Sequence, residues 1–154
     1  MRWNDIGDVR CSVARALSVV GDAWTLLIVR DCFLGIRRFD DFQERLGISR
    51  HLLADRLRHL VEHGVLDKVR YQDRPERFEY RLSERGRALH PIVTALLAWG
   101  DEWMADPDGP PVTLVHRPCG HEMTPVPTCP ECGVEVTATG TAAVLHPHPM
   151  TRPA

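Results

Sequence analysis

Residues 47–66, GISRHLLADRLRHLVEHGVL, spell out a helix with both ends marked. Ser49 suits the N-cap, because its hydroxyl accepts a bond from an amide one turn in that otherwise has no partner. Ile48 before it can staple onto Leu53. Gly64 suits the left-handed position after the last turn, with Val65 folding back on Leu60. Between the caps, Leu53, Leu57, Leu60 and Val61 recur at helical spacing and form one apolar stripe. His51, Asp55, Arg58, His59 and Glu62 lie opposite, and Arg50 and Arg56 flank the stripe. A short helix locked into a core on one side, offering Ser, Arg and His from its first turns, is what entry into a DNA major groove requires. An ordinary amphipathic surface helix has the same pattern, so the neighbouring segments decide.

Upstream, Ser12 is placed to cap a helix with Val13, Leu17 and Val20 on one face, and the polar residues 1–11 before it read as loose. Asp22 is placed to cap a second, AWTLLIVRDCFLG, with Trp24, Leu27, Ile28 and Cys32 at helical spacing and Gly35 closing it. A third short helix follows Arg37 and Arg38, carrying Phe39, Phe42 and Leu46 as a narrow stripe. Gly47 makes a tight turn into the capped helix, and the pair matches helix-turn-helix geometry. Downstream the period changes. VLDKVRYQ and RFEYRLS alternate, are rich in β-branched and aromatic residues, and flank the turn signal Gln72–Glu76. This predicts a hairpin wing made basic by Lys68, Arg70, Arg74 and Arg77. Ser83 then caps a long helix, ERGRALHPIVTALLAWGDEWMA, bent at Pro91. Its apolar face (Leu89, Ile92, Val93, Leu96, Leu97, Trp99, Trp103, Met104) exceeds what one small core can hide, which predicts a two-fold homodimer.

Charge is distributed to match. The formal net charge is −2, but residues 35–87 hold 13 Lys+Arg against 10 Asp+Glu, and residues 106–154 hold 2 against 5. The middle can meet phosphate and the tail should avoid it. No stretch reaches the roughly 18 apolar residues of a membrane span. The start, MRWNDIGDVRCS, lacks an apolar signal segment, so the expected location is cytoplasmic. In a reducing cytoplasm, the five cysteines favour metal or thiol chemistry over structural disulfides.

Residues 106–113, DPDGPPVT, read as a linker between a domain at 1–105 and a small module at 114–136, with an unpatterned tail at 137–154. The module repeats one motif, HRPCG at 116–120 and CPECG at 129–133. Each places two ligands three residues apart before a glycine, the knuckle spacing of a zinc ribbon. The expected set is His116, Cys119, Cys129 and Cys132 on a structural Zn, with His121 competing for the place of His116. A module of about 23 residues buries no core, so the metal would supply its folding energy. Cys11 stands apart, beside Arg10 at the start of the first helix. A helix N-terminus and an adjacent cation both favour a thiolate, which makes Cys11 the candidate redox or electrophile sensor. Cys32 reads as core.

The run from CSVARALSVVGDAWTLLIVRDCFLGIRRF through GISRHLLADRLRHLVEHGVLDKVRY to FEYRLSERGRAL resembles the HxlR family of winged helix-turn-helix regulators. The specific motifs are Cys-x-Val, Gly-x-x-Trp-Thr-Leu-Leu-Ile, Arg-Arg-Phe, Gly-Ile-Ser, Leu-x-x-Arg-Leu-x-x-Leu and Tyr-x-Leu-Ser-x-x-Gly, and they cover about two-thirds of the chain. The resemblance implies a dimeric bacterial transcription factor, usually a repressor, with a sensing cysteine in several members at the position of Cys11. The zinc-ribbon-like tail is not implied by it.

The expected fold is therefore mainly α with a small β-hairpin wing, plus a C-terminal zinc-ribbon-like module. The expected function is a non-enzymatic regulator binding a palindrome in double-stranded DNA as a homodimer, responsive to an oxidant or small-molecule inducer. Ser49, Arg50, His51 and Arg58 should approach base edges or nearby phosphates. Arg37, Arg38 and Arg56 should meet phosphates, and Arg74 and Arg77 should reach toward the minor groove. Two alternatives stand beside this: a protein-interaction module built on the same elements, and a small zinc enzyme, for which no nucleophile–base pairing or phosphate loop is present.

Overall fold

The computed structural model describes residues 3–8, 10–104, 107–144 and 146. Half of the expected tail at 137–154 lies outside them, at 145 and 147–154. The chain divides into two compact units, Met1–Ala105 and Asp106–Ala154.

In the first unit, a 3₁₀ turn over Trp3–Asp8 occupies most of the segment expected to be loose. Next come α1 (Ser12–Val20), α2 (Ala23–Phe33), α3 (Phe39–Leu46) and α4 (Arg50–Glu62). β1 (Leu66–Asp73) and β2 (Glu76–Leu82) form an antiparallel hairpin, and α5 (Glu84–Arg87) and α6 (His90–Trp103) complete the unit. Local chemistry explains most boundaries. The Asp22 carboxylate accepts from the amides of Trp24 and Thr25 at 3.0 and 3.3 Å, and the Ser49 hydroxyl accepts from the Leu52 amide at 3.2 Å. Gly47, at φ 63°, turns α3 into α4 with a left-handed backbone that a side chain would strain. After α4 the Val65 amide donates to the Leu60 carbonyl at 2.9 Å, the helix-ending bond expected of Gly64–Val65.

Two expectations need correction. Cys11, not Ser12, occupies the N-cap of α1, in extended backbone and with no capping side-chain bond. The expected long helix after Ser83 is two helices. Ser83 caps only the four residues of α5, and Pro91 sits in the first turn of α6. Proline lacks an amide and clashes with the carbonyl four residues back, so it begins a helix more readily than it continues one.

The core is built around α4. Leu53, Leu57 and Leu60 are fully buried with Ile28 and Val29 of α2 and Phe42 of α3, and Ile48, Val65 and Leu66 close the ends. Each such side chain contributes about 1.5–3 kcal/mol by leaving water. Asp31 is buried among them. Its carboxylate is held by Arg30 at 2.8 Å and faces Arg45 of α3 at 3.5 Å, an ion pair across the α2–α3 packing. The wing has a third, one-residue edge not foreseen from sequence. Arg38 bridges Glu79, and the Tyr80 amide donates to the Arg37 carbonyl at 2.7 Å.

The second unit holds two short hairpins. β3 (Val115–His116) pairs with β4 (His121–Glu122), and Thr128 bridges Glu135. Among its described residues none is buried.

Candidate nucleic-acid interface

α4 presents one face to the core and the other outward. On the outward side Ser49, Arg50, His51 and Arg58 are exposed. They differ in how firmly the protein holds them. The Arg50 guanidinium donates to Asp40 at 3.0 Å and to Gln43 at 2.9 Å, and lies 4.7 Å over the Phe39 ring. Both ends of the Arg50–Asp40 pair are exposed, so exchanging Asp40 for another acceptor costs little. Arg58 lies between Asp55 and Glu62, one turn either side of it on the same helix. His51 has no side-chain partner among the described residues.

Arg56 and His59 turn inward. Arg56 bonds Asp22, the cap of α2, at 3.1 Å and Asp55 at 2.9 Å, so its guanidinium clamps α4 onto α2. His59 meets the Val19 carbonyl at 3.0 Å, tying α4 to the end of α1. Sequence spacing placed both near the outer side; the close approach of α1 and α2 pulls them in.

The wing lies beside this surface. A bulge at Tyr71, between the Arg70 and Gln72 registers, turns that ring outward under the Arg38 guanidinium at 4.8 Å. Arg38, Phe39, Asp40, Asp41, Arg50 and Tyr71, with Arg77 and Phe78 across from them, line a cleft of about 380 Å³ between α3, the start of α4 and the wing. Lys68 lies 4.2 Å over Phe78, and Arg70 is neutralised by Glu76 and Asp73. Arg74 and Arg77, at the tip, are exposed with no side-chain partner among the described residues. Arg37 is exposed at the foot of α3. Of the exposed arginines around this surface, Arg37, Arg74 and Arg77 thus have no ion pair or side-chain hydrogen bond among the described residues, while Arg38 and Arg50 lie over Tyr71 and Phe39.

The two cysteines of this unit differ. Cys11 is exposed at the start of α1. Burial, reinforced by the negative charge of Asp31 and opposed by Arg37, pushes the Cys32 thiol up to about 12. In the second unit, His116 Nδ1 stands 3.2 Å from Cys119 Sγ. Backbone amides of Cys132 and Glu131 and the Cys132 side chain lower the Cys129 thiol. The four expected ligands thus stand as two pairs. Among the described residues no three His, Cys, Asp or Glu side chains gather at one point.

A helix-turn-helix with one outward helix face and an arginine-tipped hairpin beside it defines the winged-helix class of DNA-binding proteins. Residues 19–108 match the model of the HxlR-like helix-turn-helix family, and the chain belongs to that family. It is 50% identical over 127 residues to an uncharacterized HTH-type transcriptional regulator of Mycobacterium tuberculosis, covering 82% of this chain and 80% of the relative. It is also similar to the crystal structure of PA1607, a candidate transcription factor, with TM-score 0.80, 40% identity and coverage of 90% of this chain and 96% of that one. Residues 1–105 cannot supply 90% of 154 residues, so this match runs into the second unit. The redox regulator HypR in its oxidized form aligns at TM-score 0.56 and 32% identity, covering 60% of this chain and 96% of its own. Among the described residues no single helix is long and apolar enough to cross a membrane.

Proposed function

We propose that the chain is a repressor that binds a palindromic operator in double-stranded DNA as a homodimer, with Cys11 as the thiol through which an oxidant or electrophile releases it. The observation that carries the reading is the shared surface of α4 and the wing. α4 offers Ser49, His51, Arg50 and Arg58 for the major groove, and Arg74 and Arg77 stand free at the wing tip for the backbone and minor groove. Arg37 and Arg38 supply phosphate contacts at the foot of α3.

Support for a dimer comes from α6. Leu89 and Val93 pack on the core, while Ile92, Leu96, Trp99 and Trp103 are 45, 51, 57 and 68% exposed on one stripe. Val13 and Leu17 of α1 are exposed as well. Pairing two copies would present two α4 helices, matching half-sites about 34–36 Å apart. Support for Cys11 is its exposure at a helix start, together with the likeness to HypR, a redox regulator.

The test is selection of duplexes on the reduced protein, followed by binding titrations across salt concentrations. An enriched palindrome with affinity falling steeply as salt rises is expected, because each phosphate contact releases counterions. Arg77→Ala should weaken all sequences alike and lower the salt slope by about 1, whereas His51→Ala should relax preference at one base position. Binding without sequence preference, or without salt dependence, would overturn the reading in favour of a protein partner.

A further inference from the structure

The second unit repeats one local structure. Cys129, Cys132 and Gly133 follow His116, Cys119 and Gly120 at a constant interval of 13 residues, and the bridge Thr128–Glu135 follows Val115–Glu122 at the same interval. The backbones agree. The Gly120 amide donates to the His116 carbonyl at 2.7 Å and the Gly133 amide to the Cys129 carbonyl at 2.8 Å, with both glycines left-handed at φ 73° and 71°.

No apolar side chain is buried among the described residues of these hairpins. Their strands are two residues long at most, and Val115, Val126, Val134 and Val136 are 53, 54, 65 and 42% exposed. A unit of this size without a core takes its stability from a cross-link or an ion.

We propose that the two knuckles are halves of one tetrahedral site for a divalent, thiol-seeking cation of the zinc type, held by His116, Cys119, Cys129 and Cys132 of one chain. The first half already has the spacing of a chelating pair. Zn–S and Zn–N bonds of about 2.3 and 2.0–2.1 Å at a tetrahedral angle set the donor atoms roughly 3.5 Å apart. The 3.2 Å between His116 Nδ1 and Cys119 Sγ is within a few tenths of an ångström of that. Three thiolates with one imidazole favour zinc over magnesium or calcium, which take oxygen. The repeat also chooses between the histidines. His116 matches the ligand Cys129, whereas His121 matches Val134, which cannot bind a metal. The ion draws together two pairs that the chain alone leaves separate, so the site is structural and does not rest on DNA binding.

The test is cobalt(II) titration of the reduced, metal-free, full-length protein, followed by displacement with zinc. The expected result is saturation at one cobalt per chain, with a thiolate-to-cobalt charge-transfer band and the intense visible absorption of tetrahedral cobalt. Cys11→Ser and Cys32→Ser should leave the spectrum unchanged. Cys119→Ser, Cys129→Ser and Cys132→Ser should each remove stoichiometric binding, and His116→Ala should weaken it where His121→Ala does not. The absence of a thiolate band in the unsubstituted protein would overturn the proposal. Saturation at one ion per two chains would overturn its single-chain form, and sensitivity to His121→Ala instead of His116→Ala would overturn the ligand assignment.

Discussion

At the scale of single residues, two thiols with the same chemistry in solution are set apart by where the fold puts them. Cys11 lies exposed at a helix start, while Cys32 packs between α2 and the core beside the Asp31 carboxylate. Alkylation of the native, reduced protein at about pH 8 should therefore modify Cys11 and spare Cys32 until the chain unfolds, because only thiolates react. Peptide mass spectrometry reads this directly, and equal rates at the two sites would show that Cys32 is not shielded. Cys11→Ser protein that still released its operator on oxidation would remove Cys11 from the sensing role. The same burial has a pH signature. The folded Cys32 thiol titrates near 12 against 9.0 for an ordinary one. Its contribution to stability is whole below about pH 9 and is lost as pH rises toward 12, because the unfolded chain gives up the proton first. Cys32→Val should flatten that part of the stability–pH curve.

At the scale of elements, the junction between wing and C-terminal helices is set by one glycine. Gly86 of α5 is buried, and a Cβ there would lie 2.2 Å from the Val65 carbonyl oxygen. That oxygen already accepts from the Ser83 amide and hydroxyl, both at 3.1 Å, so it has little freedom to retreat. Gly86→Ala should cost about 1–3 kcal/mol or more, read as a lower midpoint in chemical denaturation. An unchanged midpoint would mean that α5 can shift without penalty. Elements also sort the arginines. Arg56 joins α4 to the cap of α2, and Arg45 and Arg30 serve Asp31, so these side chains hold α2, α3 and α4 in register before any DNA arrives. The helix-turn-helix is thereby pre-organised, and its outward face is left for Ser49, Arg50, His51 and Arg58.

At the scale of the whole molecule, the stripe of Ile92, Leu96, Trp99 and Trp103 leaves four large apolar side chains of the winged-helix unit in water. If it is the two-fold contact, Leu96→Glu should yield a monomer in sedimentation equilibrium, since two like charges would then meet at a buried surface. DNA affinity should fall with it, because a monomer engages one half-site. A variant that stays dimeric would place the contact elsewhere, and an unsubstituted protein that sediments as a monomer would remove the dimer from the functional reading. The second unit buries none of its described residues, and the proposed ion would take the place of a core.

The sequence by itself determined what depends on a few neighbouring residues. Ser49 and Asp22 as caps, Gly47 as the turn into α4, the Leu53–Leu57–Leu60 stripe and the hairpin after Gly64 were all legible, because each is decided within one or two turns of chain. The repeat of 116–120 at 129–133 was legible too, because its spacing is local. Only the tertiary structure decided which charged groups are spent and which are free. Arg56 and His59 were turned inward by α2 and α1, from 34 and 40 positions away in sequence. Residues 37–38 became a wing edge through β2, and Asp31 was buried against arginines on two helices. The break before Pro91 was misread because a bend and a restart share one local pattern. A side chain's reach and its partner's approach are set by packing, and packing joins residues that the sequence keeps far apart.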